Sequence, residues 1–453
     1  MRILSTRKLS PRKVADELSP GFAQPPVSPS GPGGPGSAQG PRADQLEATR
    51  QIVEAVRLRG DEAVAEFTRK FDWPGARRDN LRTPRSQMQA ALKSLGTAQR
   101  RALEAAIENA RAFHGQTLPR DFLLPVAEGL VAGQRFTPVD SVGIHVPAFT
   151  APLPSSLIMA AVPAQAAGVK RIAVATPPDK RGRPQAGILA AAALLGLDEI
   201  YRIAGAQAIA AFAYGTSSIQ RVDKVIGAGN IYVALAKAMV FGVVGIDGFY
   251  GPSEVVVVAD ESADPTIAAS ELLAQAEHSS DALSVLVSWS AKLVRAVRAE
   301  LEAWAKRSKQ PASRRVRESV AARAALVQTR DEGEATEVVN AFAPEHLVLM
   351  VADPAALLEK VRHAGCILMG QSSPVAVSDY AAGPSHLLPT GRTARFSSGL
   401  GVIDFMKRSS VVSVSPAWLR RFGPVVETLA RMEGLPEHAR SISLRLRAYR
   451  KRS

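Results

Sequence analysis

The chain has 453 residues, of which 46% are hydrophobic and 22% charged, and its formal net charge is +14. This length allows two or three domains, and the composition is that of ordinary globular proteins. No apolar run is long enough to cross a bilayer, and the first residues lack the apolar core of a secretory signal. We therefore expect a cytoplasmic protein with no membrane partner.

The positive charge is spread along the chain, and its densest run is the terminal RLRAYRKRS. A solvated tail accounts for that run, and no recognised nucleic-acid-binding motif accompanies the charge, so we predict no nucleic-acid partner. The single cysteine, Cys366, cannot form an intramolecular disulfide and lies in an apolar stretch typical of a buried strand.

Residues 19–42 are dense in Pro, Gly and Ser and lack an apolar period. They predict a flexible linker or insertion within an N-terminal segment of residues 1–43. Gly31, Gly33 and Gly36 match the G-x-G-x-x-G spacing of dinucleotide-binding loops. Prolines fill the intervening positions and no strand precedes them, so we interpret this match as accidental.

Helical spacing follows from Ala43 to about His114, with Gly60 as a stop signal. Between residues 139 and 260, short β-branched runs alternate with Ala-rich helical stretches, as in VGIHV, KRIAVAT, EIYRIA, VDKVIG and EVVVVAD. A second series follows, with LSVLVSW, HLVLMVA and CILMG. This alternation predicts an α/β fold with two parallel-sheet layers covered by helices.

We assign residues 44–144 and 255–400 to a first, discontinuous α/β domain, and residues 145–254 to a second one. Beyond about Gly401 the sequence becomes more helical and basic, which predicts a small C-terminal helical segment of residues 401–453. No internal period of about 20 to 50 residues repeats, so a solenoid is not expected.

The segment ELLAQAEHSSD places Gln275 and His278 three residues apart with helical spacing. Such a pair projects from one face and can share one metal ion through an amide oxygen and an imidazole nitrogen. Two ligands alone do not define a site. Taken alone, the pair favours the other interpretation, a histidine at a helix end that makes a local hydrogen bond.

In APEHLVLM, Glu345 and His346 lie in a loop at the entry of a predicted strand. An imidazole can accept a proton at neutral pH, and a neighbouring carboxylate can raise its pKa or activate water. On these residues alone, an exposed acid–base pair without a role remains an alternative.

Two further clusters are rich in polar residues, in a chain with only seven histidines. The long Gly- and Pro-punctuated stretch VSDYAAGPSHLLPTGRTARFSSGL carries Asp379 and His386, and MEGLPEHARS carries Glu433 and His438. Long ordered loops are usually functional, so these clusters are candidates for a site.

Together, VDKVIGAGNIYVALAK, GPSEVVVVAD, LLAQAEH, APEHL, SDYAAGPSHLLPTGRTARFSSGL and EGLPEHA resemble the motif series of the histidinol dehydrogenase family. Order and spacing agree from about residue 44 to 445. The resemblance implies two incomplete Rossmann-like parallel-sheet domains with small N- and C-terminal segments. It also implies a cofactor site that lacks the glycine fingerprint.

Carried over by position, the resemblance implies one zinc ion per subunit, held by Gln275, His278, Asp379 and His438. It implies Glu345 and His346 as acid–base residues, and NAD contacts at the following positions: His145, Gln207 and Asn230. The implied substrate contacts include the zinc-site residues and His346, together with Ser155, Ser253, His386 and Glu433.

The implied reaction is the NAD-linked oxidation of L-histidinol to L-histidine through L-histidinaldehyde, within histidine biosynthesis. His346 acts as the general base, and Glu345 activates the water that hydrates the aldehyde. The resemblance also implies a homodimer in which Glu433 and His438 complete the partner's site.

The chain departs from the family pattern in three stretches. An aromatic dinucleotide contact is replaced by His145, and two nearby glycines by Ala148 and Phe149. Ala228 stands where proline is frequent, and Tyr250 where a small residue commonly precedes GPSE. These departures bear on the affinity for the cofactor and on the shape of the substrate pocket.

Three alternatives remain. The first is a paralogous zinc- and NAD-dependent dehydrogenase acting on another polar alcohol, since family likeness does not fix the substrate. A zinc hydrolase that uses Glu345 is the second, and it would act without NAD. The third is a non-catalytic basic binding protein, which would bind nucleic acid in a salt-sensitive manner.

Overall fold

The structure is a computed structural model that describes residues 1–18, 43–148, 153–308, 310 and 313–450. Phe149 lies outside the described residues. The strands are β1 (Arg2–Ser5), β2 (Phe122–Ala127), β3 (Leu130–Pro138), β4 (Ser141–His145), β5 (Arg171–Ala175), β6 (Glu199–Tyr201), β7 (Lys224–Ile226), β8 (Gly245–Ile246), β9 (Glu254–Ala259), β10 (Leu283–Ser288), β11 (Ala325–Gln328), β12 (His346–Met350), β13 (Cys366–Met369) and β14 (Met406–Val414).

The helices of the described residues include two short 3₁₀ turns, Thr393–Arg395 and Val402–Phe405. The α-helices are α1 (Pro11–Leu18), α2 (Ala43–Arg59), α3 (Asp61–Phe71), α4 (Arg85–Ser94), α5 (Thr97–Gln116), α6 (Pro154–Ala167), α7 (Ala186–Leu194), α8 (Gly205–Tyr214), α9 (Ile231–Val240), α10 (Pro265–Ala276), α11 (Ala291–Arg307), α12 (Arg314–Arg323), α13 (Glu332–Phe342), α14 (Pro354–Leu358), α15 (Val375–Tyr380), α16 (Pro416–Met432) and α17 (Pro436–Arg450). None of the described helices combines the length and apolarity needed to cross a membrane.

The chain divides into two compact units. Unit 1 comprises residues 1–117 and 140–405, and unit 2 comprises residues 118–139 and 406–453. Unit 1 contains two parallel sheets, whereas unit 2 contains an antiparallel one. The α/β fold with two parallel sheets predicted from the sequence is therefore confirmed.

The six-stranded sheet of unit 1 has the order β1-β11-β10-β9-β12-β13 and is parallel throughout. Successive side chains of a strand point to opposite faces, so a strand covered on both sides needs an unbroken apolar run. The EVVVVA run of β9 meets this need: Val256 and Val258 pack with α1 and α13, and Val255 and Val257 pack with α10 and α11.

The five-stranded sheet of unit 1 has the order β6-β5-β4-β7-β8 and is also parallel. Helices α2, α3, α8 and α9 share an apolar core with it, and α6 contacts β4 and packs against α7. The chain begins this sheet in the middle, at β4, moves outward to β6 and then returns to β7. The order of the strands therefore reverses between β4 and β7.

Unit 2 joins β2, β3 and β14 into an antiparallel sheet, with α16 packed against α17. A two-residue turn, Glu128 and Gly129, links β2 to β3, and Gly129 adopts a φ of +77° that favours glycine. The predicted C-terminal helical segment, residues 401–453, therefore also contains a strand, β14, between the 3₁₀ turn Val402–Phe405 and α16. The KRSSVVSV stretch of β14 is largely polar and shows little alternation of apolar and polar residues, so the sequence pattern does not distinguish this strand from a loop.

The division into domains made from the sequence stays a prediction, although several of its details differ from the structure. The boundary between residues 144 and 145 falls inside β4. The N-terminal segment of residues 1–43 contributes β1 to the six-stranded sheet, because four residues suffice for an edge strand. Helices α2 and α3 pack against α8 and α9, which belong to the five-stranded sheet.

Candidate active site

The predicted acid–base residues lie at the amino-terminal edge of the six-stranded sheet. Strands β9 and β12 are parallel neighbours, with His346 paired to Val255. Their first residues consequently meet at one edge. This register brings Glu254, the first residue of β9, and the preceding Ser253 beside His346, the first residue of β12, and the preceding Glu345.

Helix α10 ends at this same edge, because it must run back along the sheet to join the parallel strands β9 and β10. Its penultimate residue, Gln275, is only 2% exposed, and neither atom of its amide makes a hydrogen bond within the described residues. His278 lies beyond the helix end with an exposed side chain, and its backbone N–H donates to the Gln275 carbonyl at 3.2 Å. The predicted pair is thus close in space, although it does not share one helix face.

Asp379, on α15, is the nearest charged partner of His346. His346 is 3% exposed, and its Nε2 lies 3.4 Å from Asp379 Oδ1. Neither ring nitrogen makes a well-aligned hydrogen bond within the described chain. Burial opposes the charge on both groups, but each stabilises the other's ion. The pKa of His346 therefore lies well above its usual value, and that of Asp379 is lowered.

Glu345 joins this cluster from the other side. Its Oε2 lies 3.7 Å from His346 Nδ1 and accepts a hydrogen bond from the Glu254 backbone N–H at 2.7 Å. The Glu345 carboxylate is therefore held by the backbone of the neighbouring strand and faces the imidazole of the next residue.

Glu254 is a buried acid that the sequence analysis did not single out. Its side chain is 1% exposed, and Oε1 accepts from the Gly391 N–H at 3.1 Å, whereas Oε2 has no partner within the described residues. Burial, followed by the charge of Glu345, raises the pKa of Glu254 to about 8. Glu254 therefore carries a proton at neutral pH. Only its position in GPSE, next to a predicted substrate contact, could have indicated it.

Glu271 is the second acid that sequence reasoning passed over. It lies four residues before Gln275 on α10, and its Oε2 accepts from the backbone N–H of Val375, the first residue of α15, at 2.9 Å. This bond ties the helix that carries Gln275 to the helix that carries Asp379. The i, i+4 spacing to Gln275 was the available signal.

His386 is fixed by two hydrogen bonds. Its Nδ1 donates to the Asp379 carbonyl at 2.8 Å, and its Nε2 accepts from the Ser156 hydroxyl at 3.2 Å. Burial lowers the pKa of His386, which agrees with a neutral ring. The predicted contact Ser155 is buried one residue earlier in the first turn of α6, so the hydroxyl that reaches His386 is that of its neighbour.

Glu433 and His438 belong to unit 2, where they flank the short connection between α16 and α17, and both are exposed. Unit 1 alone supplies three of the four predicted metal ligands. Within the described residues, no three His, Cys, Asp or Glu side chains are grouped closely enough to hold a metal ion. The amide of Gln275 is a further oxygen donor outside those four residue types.

The predicted cofactor residues lie elsewhere, at the carboxyl-terminal edge of the five-stranded sheet. His145 ends β4, Gln207 lies in the first turn of α8, and Asn230 caps α9 by accepting from two backbone N–H groups. Gln207 is buried, and its amide donates to Asp72 at 3.4 Å. These residues surround the point between β4 and β7 where strand order reverses, which is the usual ligand position in open parallel sheets.

Tyr250 lies three residues before the predicted substrate contact Ser253 and contacts two buried charged side chains. The hydroxyl donates to Asp247 at 2.9 Å, and the ring lies over the ammonium of Lys237 at 4.8 Å. Lys237 and Asp247 form a buried ion pair at 2.5 Å. The tyrosine that replaces a small residue at position 250 is therefore accommodated by its contacts with the buried Lys237–Asp247 ion pair.

Comparisons with known proteins agree on one family. The family model for histidinol dehydrogenase matches residues 38–446. Histidinol dehydrogenase of Geobacillus kaustophilus is 46% identical over 405 residues, which cover 89% of this chain and 94% of that protein. The Pseudomonas aeruginosa enzyme is 46% identical over 399 residues, covering 87% and 89%.

The fold comparison agrees with this result. The crystal structure of histidinol dehydrogenase from Elizabethkingia anophelis matches with a TM-score of 0.89 and 29% sequence identity, covering 99% of each chain. The chain therefore belongs to the histidinol dehydrogenase family, oxidoreductases that act on the alcohol group of histidinol.

Proposed function

We propose that the protein is a zinc-dependent, NAD-linked histidinol dehydrogenase that converts L-histidinol through L-histidinaldehyde to L-histidine. The observation that carries this proposal is the buried amide of Gln275, which has no hydrogen-bond partner among the described residues and lies at the edge shared with Asp379, His346 and Glu345. The cytoplasmic location expected from the sequence is part of the proposal.

The residues present fit a zinc ion. A buried amide without partners costs free energy of about 1–3 kcal/mol, and a cation bound at its oxygen removes that cost. Asp379 favours its charged form, and it lies within electrostatic range of His278. We infer that Gln275, His278, Asp379 and His438 hold the metal, which when bound supplies an electrophilic anchor for the polar groups of the substrate.

The same arrangement makes His346 a base. Asp379 and Glu345 hold the proton on its imidazole, and a cation held by Asp379 would offset one of these two negative charges. The imidazole pKa then moves down toward the range in which the ring accepts a proton. His346 takes the hydroxyl proton of the alcohol in the first oxidation and that of the hydrated aldehyde in the second.

Glu345 faces the same space and accepts the proton of the water that adds to the aldehyde. One hydride leaves the substrate carbon in each oxidation, and Gln207 and Asn230 at the five-stranded sheet would hold the NAD that supplies the hydride acceptor, two equivalents per substrate. The alcohol thus loses four electrons in all and gains one oxygen from water. Ser155, Ser253, His386 and Glu433 complete the substrate contacts in this proposal.

The surface of unit 2 supports a homodimer. Strand β2 is exposed along its whole length, including Leu123, Leu124 and Val126. Helix α16 exposes Leu429 and Met432 in addition. Exposed apolar strand edges of this kind usually pair with another chain. We infer that a second copy covers this surface and receives Glu433 and His438 into its own site.

The test is bound metal and NAD reduction measured on one sample of purified protein. We expect stoichiometric zinc and two NADH formed for each L-histidinol consumed. Turnover of another amino alcohol without turnover of L-histidinol would favour the paralogous dehydrogenase. Hydrolysis without NAD would favour the zinc hydrolase.

A further inference from the structure

His145, at the end of β4, is 1% exposed, and both of its ring nitrogens contact the backbone. The Gly205 N–H donates to Nε2 at 3.2 Å, and Nδ1 lies 2.8 Å from the Ala228 carbonyl oxygen. Since a backbone amide can only donate and a carbonyl can only accept, the geometry fixes the tautomer. Nδ1 carries the proton that it donates to Ala228, and Nε2 accepts the hydrogen bond from Gly205 through its lone pair.

The two backbone partners belong to the two segments that carry the other expected cofactor contacts. Gly205 begins α8, two residues before Gln207, and Ala228 lies two residues before Asn230, the cap of α9. At the carboxyl-terminal edge of the five-stranded sheet, the imidazole therefore links the loop after β6 to the loop after β7.

The loop after β7 passes too close to β4 to leave room for a side chain at Gly227. Gly227 has a φ of +110°, and a Cβ added there would lie 2.1 Å from the His145 carbonyl oxygen. The Asp247 carboxylate accepts from the Gly227 N–H at 2.7 Å and fixes the other side of the loop. The loop is held from two directions, and His145 provides the link to α8.

We propose that His145 is a positioning residue for the dinucleotide: it does not touch the cofactor, and its neutral imidazole sets the separation of the amino termini of α8 and α9. This inference rests on the proposed NAD-linked function, and it replaces the direct contact expected at this position. A direct contact would need ring atoms that reach the ligand, whereas the His145 side chain is 1% exposed and both of its nitrogens bond to the backbone.

The electrostatic surroundings support the neutral ring. Burial lowers the pKa of His145 to about 4, the hydrogen bond to Ala228 opposes that shift, and the charge of Lys237 on α9 adds to it. The bridge therefore persists through the neutral pH range in which the enzyme is assayed.

Three variants separate the two hydrogen bonds. His145→Asn keeps a donor for Ala228, His145→Gln extends an acceptor toward Gly205, and His145→Phe keeps the ring shape only. We expect His145→Phe to raise the KM for NAD about tenfold, as for loss of a buried hydrogen bond, while the KM for L-histidinol and the zinc content stay unchanged. The Asn and Gln variants should fall between it and the wild type.

Gln165→Leu is the matched control, because Gln165 of α6 donates to the Leu195 carbonyl at 2.7 Å within the same domain. It should lower the melting temperature without changing the KM for NAD. Equal rises in both KM values for His145→Phe, or an unchanged KM for NAD, would overturn the inference. If His145→Phe fails to fold, the Asn and Gln variants give the same decision.

Nitrogen NMR of the wild-type imidazole gives an independent measurement. We expect the Nδ1–H tautomer, with ring shifts little altered when NAD is added. A large change at Nε2 on adding NAD would mean direct contact and would overturn the positioning role. If the wild type binds no NAD by calorimetry, the proposed function fails; if it binds NAD as tightly as His145→Phe does, only this inference fails.

Discussion

The two parallel sheets of unit 1 present their candidate residues at opposite edges. In the six-stranded sheet they lie where the strands begin, with Glu345 and His346 opening β12. In the five-stranded sheet they lie where the strands end, with His145 closing β4. Helices that follow parallel strands begin at the carboxyl edge and end at the amino edge, so the two edges differ in the sign of the helix dipole.

This difference suits two kinds of ligand. The carboxyl edge offers the amino termini of α8 and α9, where the positive ends of the helix dipoles favour an anion such as a pyrophosphate. The amino edge offers the carboxyl terminus of α10 beside Gln275, which favours a cation. At that edge burial and the charge of Glu345 favour the protonated form of Glu254, whereas Asp379 is paired with His346 and favours its charged form.

The largest effect that tests this contrast is expected from His346→Ala. Loss of a general base lowers kcat by about 10²- to 10⁴-fold, and we expect zinc to remain bound because the ligand set is intact. Steady-state kinetics and metal analysis on the same sample measure both. His363→Ala, a partly exposed histidine outside the site, is the control. A near-normal rate would exclude His346 as the base.

His438→Ala tests whether the cation edge is completed by unit 2. We expect zinc content and activity to fall together, and retained stoichiometric zinc would exclude the ligand role. Mixed dimers sharpen the test. If His438 acts across the interface, co-expression of His346→Ala with His438→Ala restores about a quarter of the wild-type activity, because half of the dimers contain one intact site. No recovery would place His438 in the site of its own chain.

A smaller effect is expected from Glu271→Leu, which removes the bond between α10 and α15. The two ligand helices then lose a fixed separation, and zinc affinity should fall about tenfold, as for loss of a group that orients ligands. Chelator competition measures the affinity. Glu271→Gln keeps an acceptor for the Val375 N–H and should restore most of it. Equal losses in both variants would mean that charge, rather than the tie between helices, matters.

The smallest effect concerns stability. The folded state favours protonated Glu254, so its contribution is fully present below the ordinary pKa of 4.5 and is lost progressively as the pH rises through about 8. Relative to Glu254→Gln, the wild type should lose on the order of 3 kcal/mol of unfolding free energy between about pH 5 and pH 8. Urea denaturation at several pH values measures this difference. Parallel pH dependences would show that Glu254 is not held protonated.

Much of unit 1 could be predicted from its sequence, because strands buried on both faces leave unbroken runs such as EVVVVA and LSVLVS. The antiparallel sheet of unit 2 could not, since β2 and β14 are exposed on both faces and their residues carry little alternation. The motif series indicated the candidate ligands. It gave no indication of burial, and so Glu254 and Glu271 were not identified.

His145 illustrates the other limit of sequence reasoning. A polar residue that replaces an aromatic contact suggests a weakened cofactor site. Its partners, Gly205 and Ala228, are backbone groups about sixty and eighty residues away along the chain, and no side-chain pattern records such bonds. Only the tertiary fold shows that this departure and the one at Ala228 are in contact.

The place of β1 has a consequence for the order in which the chain folds. Arg2 to Ser5 form the outer strand of the six-stranded sheet, yet they pair with Ala325 to Gln328. Residues 2–5 therefore cannot pair in this sheet until more than three hundred residues that follow them have been synthesised. Contacts this distant along the chain slow folding, and until they form the edge of β11 stays open to other chains.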